Sequence, residues 1–223
     1  MTHYHLVAFI NISLLLIAFL SGMLRRRFLD IASKIFCTYI GLTLLEECIA
    51  YYCAVKFHQN IPVLRVFNLV EIATLSLYFN YCIEFFRKRN IGIHIAIISS
   101  LIGLYNMIAC GSMYHLSGFF MYYEGIVIIM MALLSLFQLV KSYSYLVITT
   151  NPHFWFAFIL IIYWCLSIID WAFYDFFTIA APAYKYWISY AIGFINYPFY
   201  ITVIFTFLRY PQKSLNHARP IHH

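Results

Sequence analysis

Acidic side chains are the residues of this sequence with the clearest potential for chemistry, because most of them interrupt strongly apolar stretches. The 223 residues include eight Asp and Glu. Asp30 lies among loop arginines and Glu84 lies one turn from Arg87 and Lys88, so both are expected to be solvated. The remaining acids lie within apolar segments: Glu46, Glu47, Glu71, Glu124, Asp170 and Asp175. An acid in a membrane span costs ~2.5–3.5 kcal/mol on insertion scales and is expected to face a bundle interior or a hydrated cavity.

The composition predicts that these acids lie in membrane-spanning helices. The chain is 64% hydrophobic and only 10% charged, with a mean hydropathy of +0.83, whereas soluble domains are nearer ~45–50% apolar and ~25% charged. A hydrocarbon core ~30 Å thick requires ~20 apolar residues per helix. Seven stretches meet this requirement: 4–24, 31–55, 66–86, 91–110, 119–141, 154–178 and 185–208. We therefore predict an all-α polytopic membrane protein, with a single seven-helix domain over residues 1–223 that includes a tail at 209–223.

The distribution of Lys and Arg predicts the orientation of the helices. Eleven of the 14 basic residues fall on one side of the predicted bundle: Arg25, Arg26, Arg27, Lys34, Arg87, Lys88, Arg89, Lys141, Arg209, Lys213 and Arg219. The other side has Lys56, Arg65 and Lys185. Because cytoplasmic loops carry the excess of Lys and Arg, we expect the N-terminus outside and the C-terminus and tail inside. The net charge of +6 is then a topology signal, and no nucleic-acid partner is expected.

This topology gathers the polar residues of different helices at one depth. The six acids all fall in the outer half of the predicted bundle, on four helices. Amide and basic side chains are predicted near them. The candidate ligand-binding residues are Glu46, Glu47, Arg65, Asn68, Glu71, Asn106, Glu124, Asp170 and Asn196. Together they predict a hydrated, acid-lined pocket open to the outside, although the same acids and amides could serve only as interhelical hydrogen bonds.

The residues that would support several membrane chemistries are missing from this pattern. The six cysteines contain no CxxC pair and the histidines are mostly peripheral, so neither a disulfide framework nor a metal site is indicated. The pair Glu46-Glu47 is followed by Tyr51, where the EExxxR pattern of prenyl-protease-like membrane enzymes has Arg. No GxSxG motif is present. We therefore predict no cofactor and no metal.

Four segments of the sequence resemble a known group of proteins. They are "LLEECIAYY", "FNLVEIATLSLYF", "MYYEGIVIIMMALLSLFQLV" and "TTNPHFWFAFILIIYW". In helix order and in the placement of the glutamates, nearly the whole chain resembles small seven-helix inner-membrane proteins common in Bacteroidota. The resemblance implies a seven-helix fold and a bacterial inner-membrane location, and it implies no activity.

The leading functional hypothesis is a receptor-like or sensory module that binds a small polar or cationic ligand and passes the signal to a membrane or cytoplasmic partner. A proton- or cation-coupled transporter would use the same carboxylates. A membrane enzyme acting on a lipid or envelope precursor, with paired acids as general acid and base, is the third alternative.

Overall fold

The chain folds as a set of long apolar α-helices. The computed structural model describes the backbone of residues 2–109, 118–142, 148–180 and 185–211, and the side chains of the same residues except 2–4 and 174–193. The predicted acid Asp175, the Lys185 side chain and most of the 209–223 tail lie outside this description. The helices are α1 (Thr2–Leu24), α2 (Ile31–Phe57), α3 (Ile61–Cys82), α4 (Glu84–Arg89), α5 (Ile91–Ala109), α6 (Gly118–Ser142), α7 (Pro152–Ala180) and α8 (Lys185–Leu208). The described residues contain no strand.

Within the described residues, six helices are long and apolar enough to cross a membrane. These spans are His5–Leu24, Ile31–Phe57, Ile61–Cys82, Ile91–Ala109, Gly118–Ser142 and Pro152–Phe173, and the described part of α8 adds a shorter apolar segment, Phe194–Leu208. The helices expose many large apolar side chains, for example Phe9, Leu101 and Ile108. Since such surfaces are stable only against lipid tails, the chain is a multi-pass membrane protein.

The third predicted helix differs from the observed one at both ends. We predicted 66–86, but α3 begins at Ile61 and ends at Cys82. Pro62 lies in the first turn, where its missing N–H has no helical partner to lose. Ile83 has an extended backbone (φ −98°, ψ 115°) that separates α3 from the short α4. Glu71 is therefore the eleventh of 22 residues and lies at the middle of α3, deeper than the outer position we predicted.

Helix contacts form a closed circuit. In order, α1, α2, α3, α6, α7 and α8 each pack against the next, and α8 packs against α1. Helix α5 lies outside this circuit and packs mainly against α3. The circuit encloses fully buried rings, among them Phe36, Tyr78, Phe156 and Phe207. Phe36 stacks on Phe156 with ring centroids 4.3 Å apart, so aromatic packing joins α2 to α7 across the interior.

Candidate functional site: an acid-lined cavity

A cavity of about 150 Å³ lies between α2, α3, α6, α7 and α8. Four acids line it, Glu46, Glu47, Glu71 and Asp170, together with the amides Asn68 and Asn196. We call this space the acidic cavity. Its described lining contains no Lys, Arg or His. The structure thus brings together six of the nine predicted site residues, from four different helices.

Glu71 has a partner that the sequence analysis did not identify. The Tyr39 hydroxyl of α2 donates a 2.6 Å hydrogen bond to Glu71 Oε1, and both side chains are buried. Hydrogen bonds to charged groups contribute about 1.5–3 kcal/mol, more than those between neutral groups. We expected amide and basic side chains near the acids, whereas this hydrogen bond to Glu71 comes from a tyrosine. Asn68 instead donates to the Met121 sulfur.

Several polar atoms at the acidic cavity have no hydrogen-bond partner among the described residues. They are Glu46 Oε1, Asp170 Oδ2, Asn196 Oδ1 and the indole nitrogen of Trp164. All four residues are more than nine-tenths buried, with exposed fractions of 8%, 8%, 7% and 3%. A buried polar group left unpaired costs about 1–3 kcal/mol. These four unpaired atoms are thus buried within residues that line the acidic cavity.

Arg65 and Asn106 do not line the acidic cavity. Together with Asn68, they line a separate space of about 10 Å³ between α3, α5 and α6, which is about large enough for one water molecule. Asn106 cannot reach the acidic cavity because its helix, α5, lies outside the circuit. Asn68 lies between the two spaces and lines both. The structure therefore places Arg65 and Asn106 apart from the six predicted site residues that line the acidic cavity.

Glu124 is also separate from the cavity lining, although it lies close to it. Its side chain is fully buried in α6, and neither carboxyl oxygen has a hydrogen-bond partner among the described residues. It lies close enough to Glu71 for the two carboxyl groups to interact. Glu124 is thus a buried acid behind the acidic cavity.

A second polar cluster joins the opposite ends of these helices. Asp30 caps α2 through a 2.7 Å hydrogen bond from the Ser33 backbone N–H, and its other oxygen lies 2.8 Å from His153 Nε2. His153 Nδ1 lies 3.2 Å from the Tyr78 hydroxyl. Burial alone would raise the pKa of Asp30, but the hydrogen bond and charge of His153 hold this pKa well below its usual range. Asp30 is exposed, as expected from the sequence, but its pairing with His153 was not predicted.

Aromatic side chains form much of the remaining wall of the acidic cavity. They are Tyr39, Phe67, Tyr163, Trp164, Trp171, Phe199 and Tyr200. Helical spacing could have indicated several of them. Tyr39 precedes Glu46 by seven residues and Tyr163 precedes Asp170 by seven, which places each pair on one helix face two turns apart.

The fold and this cavity define a class: an all-helical, multi-pass membrane protein with an acid-lined interior cavity. No protein-family model matches the chain, and no curated protein or solved structure matches it. The functional conclusion therefore depends on the chemistry of the cavity.

Proposed function

We propose that this protein is a receptor-like module of a bacterial inner membrane that binds a small cationic ligand in the acidic cavity. One observation carries the proposal: Glu46, Glu47, Glu71 and Asp170 line a single buried space whose described lining has no basic side chain. Glu46 interacts electrostatically with both Glu47 and Glu71. Like charges gathered in a low-dielectric space repel one another, and a bound cation would relieve that repulsion.

The orientation of the proposed receptor follows from its charges. We assign seven membrane crossings, with the N-terminus outside and the acidic cavity open to the outside. The helix ends near Arg25–Arg27 and Arg87–Arg89 then lie in the cytoplasm, where the Asp30–His153 cluster joins α2 to α7. Because the helices are joined by short connections, we assign signal output to a membrane or cytoplasmic partner that would contact this end.

Reporter fusions test the orientation. Fusions after Arg27, Arg89, Lys141 and Pro211 are expected to report a cytoplasmic location, because these sites follow the clusters of positive charge. Fusions near His58 and near Ser112 and Ala183, the last two outside the described residues, are expected to report an external location. The measurement is the activity of a reporter that folds on one side only. The opposite result at most sites would place the acidic cavity on the cytoplasmic side.

Cation-dependent stabilisation tests the proposed binding function. The purified full-length chain in detergent is expected to unfold at a higher temperature with small cations than with neutral molecules of the same size, because a ligand that binds only the folded state stabilises it. The Glu46→Gln, Asp170→Asn double variant keeps the side-chain volumes but removes two charges, and it is expected to lose this shift.

Glu84→Gln is the matched control, because Glu84 is an exposed acid that pairs with Lys88 at 2.8 Å and lies away from the acidic cavity. This variant is expected to keep the cation-dependent shift. Equal stabilisation by neutral molecules, or a shift retained in the double variant, would contradict the proposal.

A proton- or cation-coupled transporter is the second candidate, and the buried Glu124 favours it. Glu124 lies close to Glu71, but its own side chain does not line the acidic cavity. Buried acids within a membrane domain are common in proton pathways. Uptake of a radiolabelled small cation into proteoliposomes, measured with and without a proton gradient, separates the two functions. A receptor module is expected to bind the cation without accumulating it.

A further inference from the structure

We propose that a groove between α1 and α2 binds an anionic phospholipid, with the lipid headgroup at the end of the groove where Arg26 and Lys34 lie. The groove has a volume of about 360 Å³ and is formed by α1, the loop after it and the first part of α2. We call it the α1–α2 groove. It shares no lining residue with the acidic cavity, so this inference goes beyond the proposed cation-binding function and does not depend on it.

The charged residues of the α1–α2 groove lie at its loop end. Arg26 follows α1 directly and Lys34 lies at the beginning of α2, and both are exposed. No Asp or Glu is among the described residues that line the groove. The nearest acid along the chain, Asp30, is not part of this lining and pairs with His153 at 2.8 Å. The loop end of the groove therefore attracts an anion.

The remaining length of the α1–α2 groove is largely apolar and extends away from these charges. Along α2, its lining residues are spaced by three or four positions: Lys34, Cys37, Thr38, Gly41 and Leu42. This spacing places them on one helix face, and Lys34 and Leu42 are separated by about 12 Å along the helix axis. Phe19 of α1 lies against Gly41, because a Cβ at Gly41 would be 2.7 Å from the nearest ring carbon. The groove thus has a cationic end and an apolar end.

An anionic phospholipid has the same division of charge. Its phosphate lies near the helix ends and its acyl chains extend toward the centre of the bilayer, as the groove does. Met23, which also lines the groove, is 40% exposed, so the groove is open at the outer surface of the bundle. The volume equals that of about twelve water molecules at ~30 Å³ each. This space fits a headgroup and the adjoining chain carbons, while the rest of the lipid stays in the bilayer.

A protein partner or a free anion matches the α1–α2 groove less well. A second copy of this chain would present the same basic loop, including Arg25, Arg26 and Arg27, at the same end, and like charges repel. Inorganic phosphate would pair with the basic side chains but would leave the apolar length of the groove without a partner. Basic side chains next to a membrane span attract anionic lipids, and each one contributes to the attraction. We therefore assign the lipid.

Native mass spectrometry of the full chain in detergent tests this assignment. The chain is titrated with phosphatidylglycerol and with phosphatidylcholine of the same acyl chains, and the bound fractions are compared. Phosphatidylglycerol is expected to bind at least about tenfold more tightly, because two basic side chains attract its net negative charge. The Arg26→Gln, Lys34→Gln double variant is expected to lose this preference. Both side chains are exposed, so the variant is expected to fold, and its unfolding temperature without lipid checks this.

The matched control is the Arg87→Gln, Lys141→Gln double variant. It also removes two exposed positive charges from the side with the basic loops, but neither residue lines the α1–α2 groove. This variant is expected to keep the preference for phosphatidylglycerol. Equal losses of the preference in the two double variants would mean that the whole basic surface attracts the lipid, and would overturn the assignment to this groove.

The remaining outcomes also decide between the possible occupants. Equal binding of phosphatidylglycerol and phosphatidylcholine would overturn the choice of an anionic lipid. Inorganic phosphate is the third probe, and displacement of phosphatidylglycerol by an equal concentration of phosphate would assign the groove to a free anion. Dimers that exclude the lipid would assign it to a second copy of the chain. Either of these two results would overturn the proposal.

Discussion

Glu71→Gln is expected to weaken cation binding by roughly tenfold or more, whereas Glu124→Gln is expected to leave binding within about twofold of the unsubstituted chain. Glu71 lines the acidic cavity and Glu124 does not. A charge-assisted contact of about 1.5–3 kcal/mol corresponds to roughly a 10- to 100-fold change in affinity. The amide keeps the volume of Glu71 and can still accept from Tyr39, so the variant is expected to fold. The measurement is titration of each purified variant with 2-aminoethanol, which serves as a small organic cation.

Glu124→Gln is a stringent control because it removes a buried acid near the acidic cavity with the same change in chemistry. Equal losses of affinity in the two variants would mean that both carboxyl groups contribute to binding, although only Glu71 lines the acidic cavity. Unchanged binding in both variants would remove Glu71 from the site. For a transporter, Glu124→Gln would abolish proton-coupled uptake without changing binding, so the same variant also separates the two candidate functions.

Gly92→Ala is expected to destabilise the protein by about 1–3 kcal/mol, the usual range for overpacking a closely fitted site. A Cβ at Gly92 would lie 2.5 Å from the Ser76 carbonyl oxygen and 2.5 Å from Asn80 Cβ, at the contact between α3 and α5. The Ser76 carbonyl is backbone and cannot rotate away. The Gly92 N–H also donates to Asn80 Oδ1 at 3.1 Å. The expected result is a lower unfolding temperature and weaker packing of α5 against α3.

Gly41→Ala provides the matched control for this substitution. The three atoms nearest to its added Cβ would all belong to the Phe19 ring, the closest at 2.7 Å. A partly buried ring can move by rotation of its side chain, and alanine also favours helix over glycine by roughly 1 kcal/mol. Gly41→Ala is therefore expected to be close to neutral. A similar loss of stability in both variants would show that the α3–α5 contact at Gly92 is no more closely packed than the contact at Gly41.

Helix positions were largely predictable from the sequence because the membrane imposes a length and a composition on every crossing. The predicted segment 185–208 coincides with α8, and the predicted 31–55 is extended only to Phe57 in α2. The error at α3 came from an apolar stretch that continues beyond the helix. The extended backbone of Ile83, which hydropathy does not encode, divides that stretch into α3 and α4.

The sequence also indicated which residue types would gather, because an acid in an apolar span must face the interior. Glu46, Glu47, Glu71 and Asp170 were identified in this way, and they share one cavity. The amides Asn68 and Asn196 were identified with them. This result depends only on the energetic cost of burying polar groups in lipid, which acts on each residue separately.

Which of these residues are neighbours depended on the tertiary structure. Arg65, Asn106 and Glu124 satisfy the same sequence criteria as Glu71, yet none of them lines the acidic cavity. Asn106 lies on α5, which packs outside the helix circuit, and Arg65 lines the separate space between α3, α5 and α6. The order of the helices along the chain does not determine which of them pack together, because short connections are compatible with several packing arrangements. The Tyr39–Glu71 and Asp30–His153 pairs are 32 and 123 residues apart in the chain, and only the packing of α2 against α3 and the convergence of α2 and α7 bring them together. The sequence by itself therefore determined that the protein lies in lipid, where its helices run and which polar residues they carry. Helix packing decided which side chains those polar residues contact and the shape of the acidic cavity.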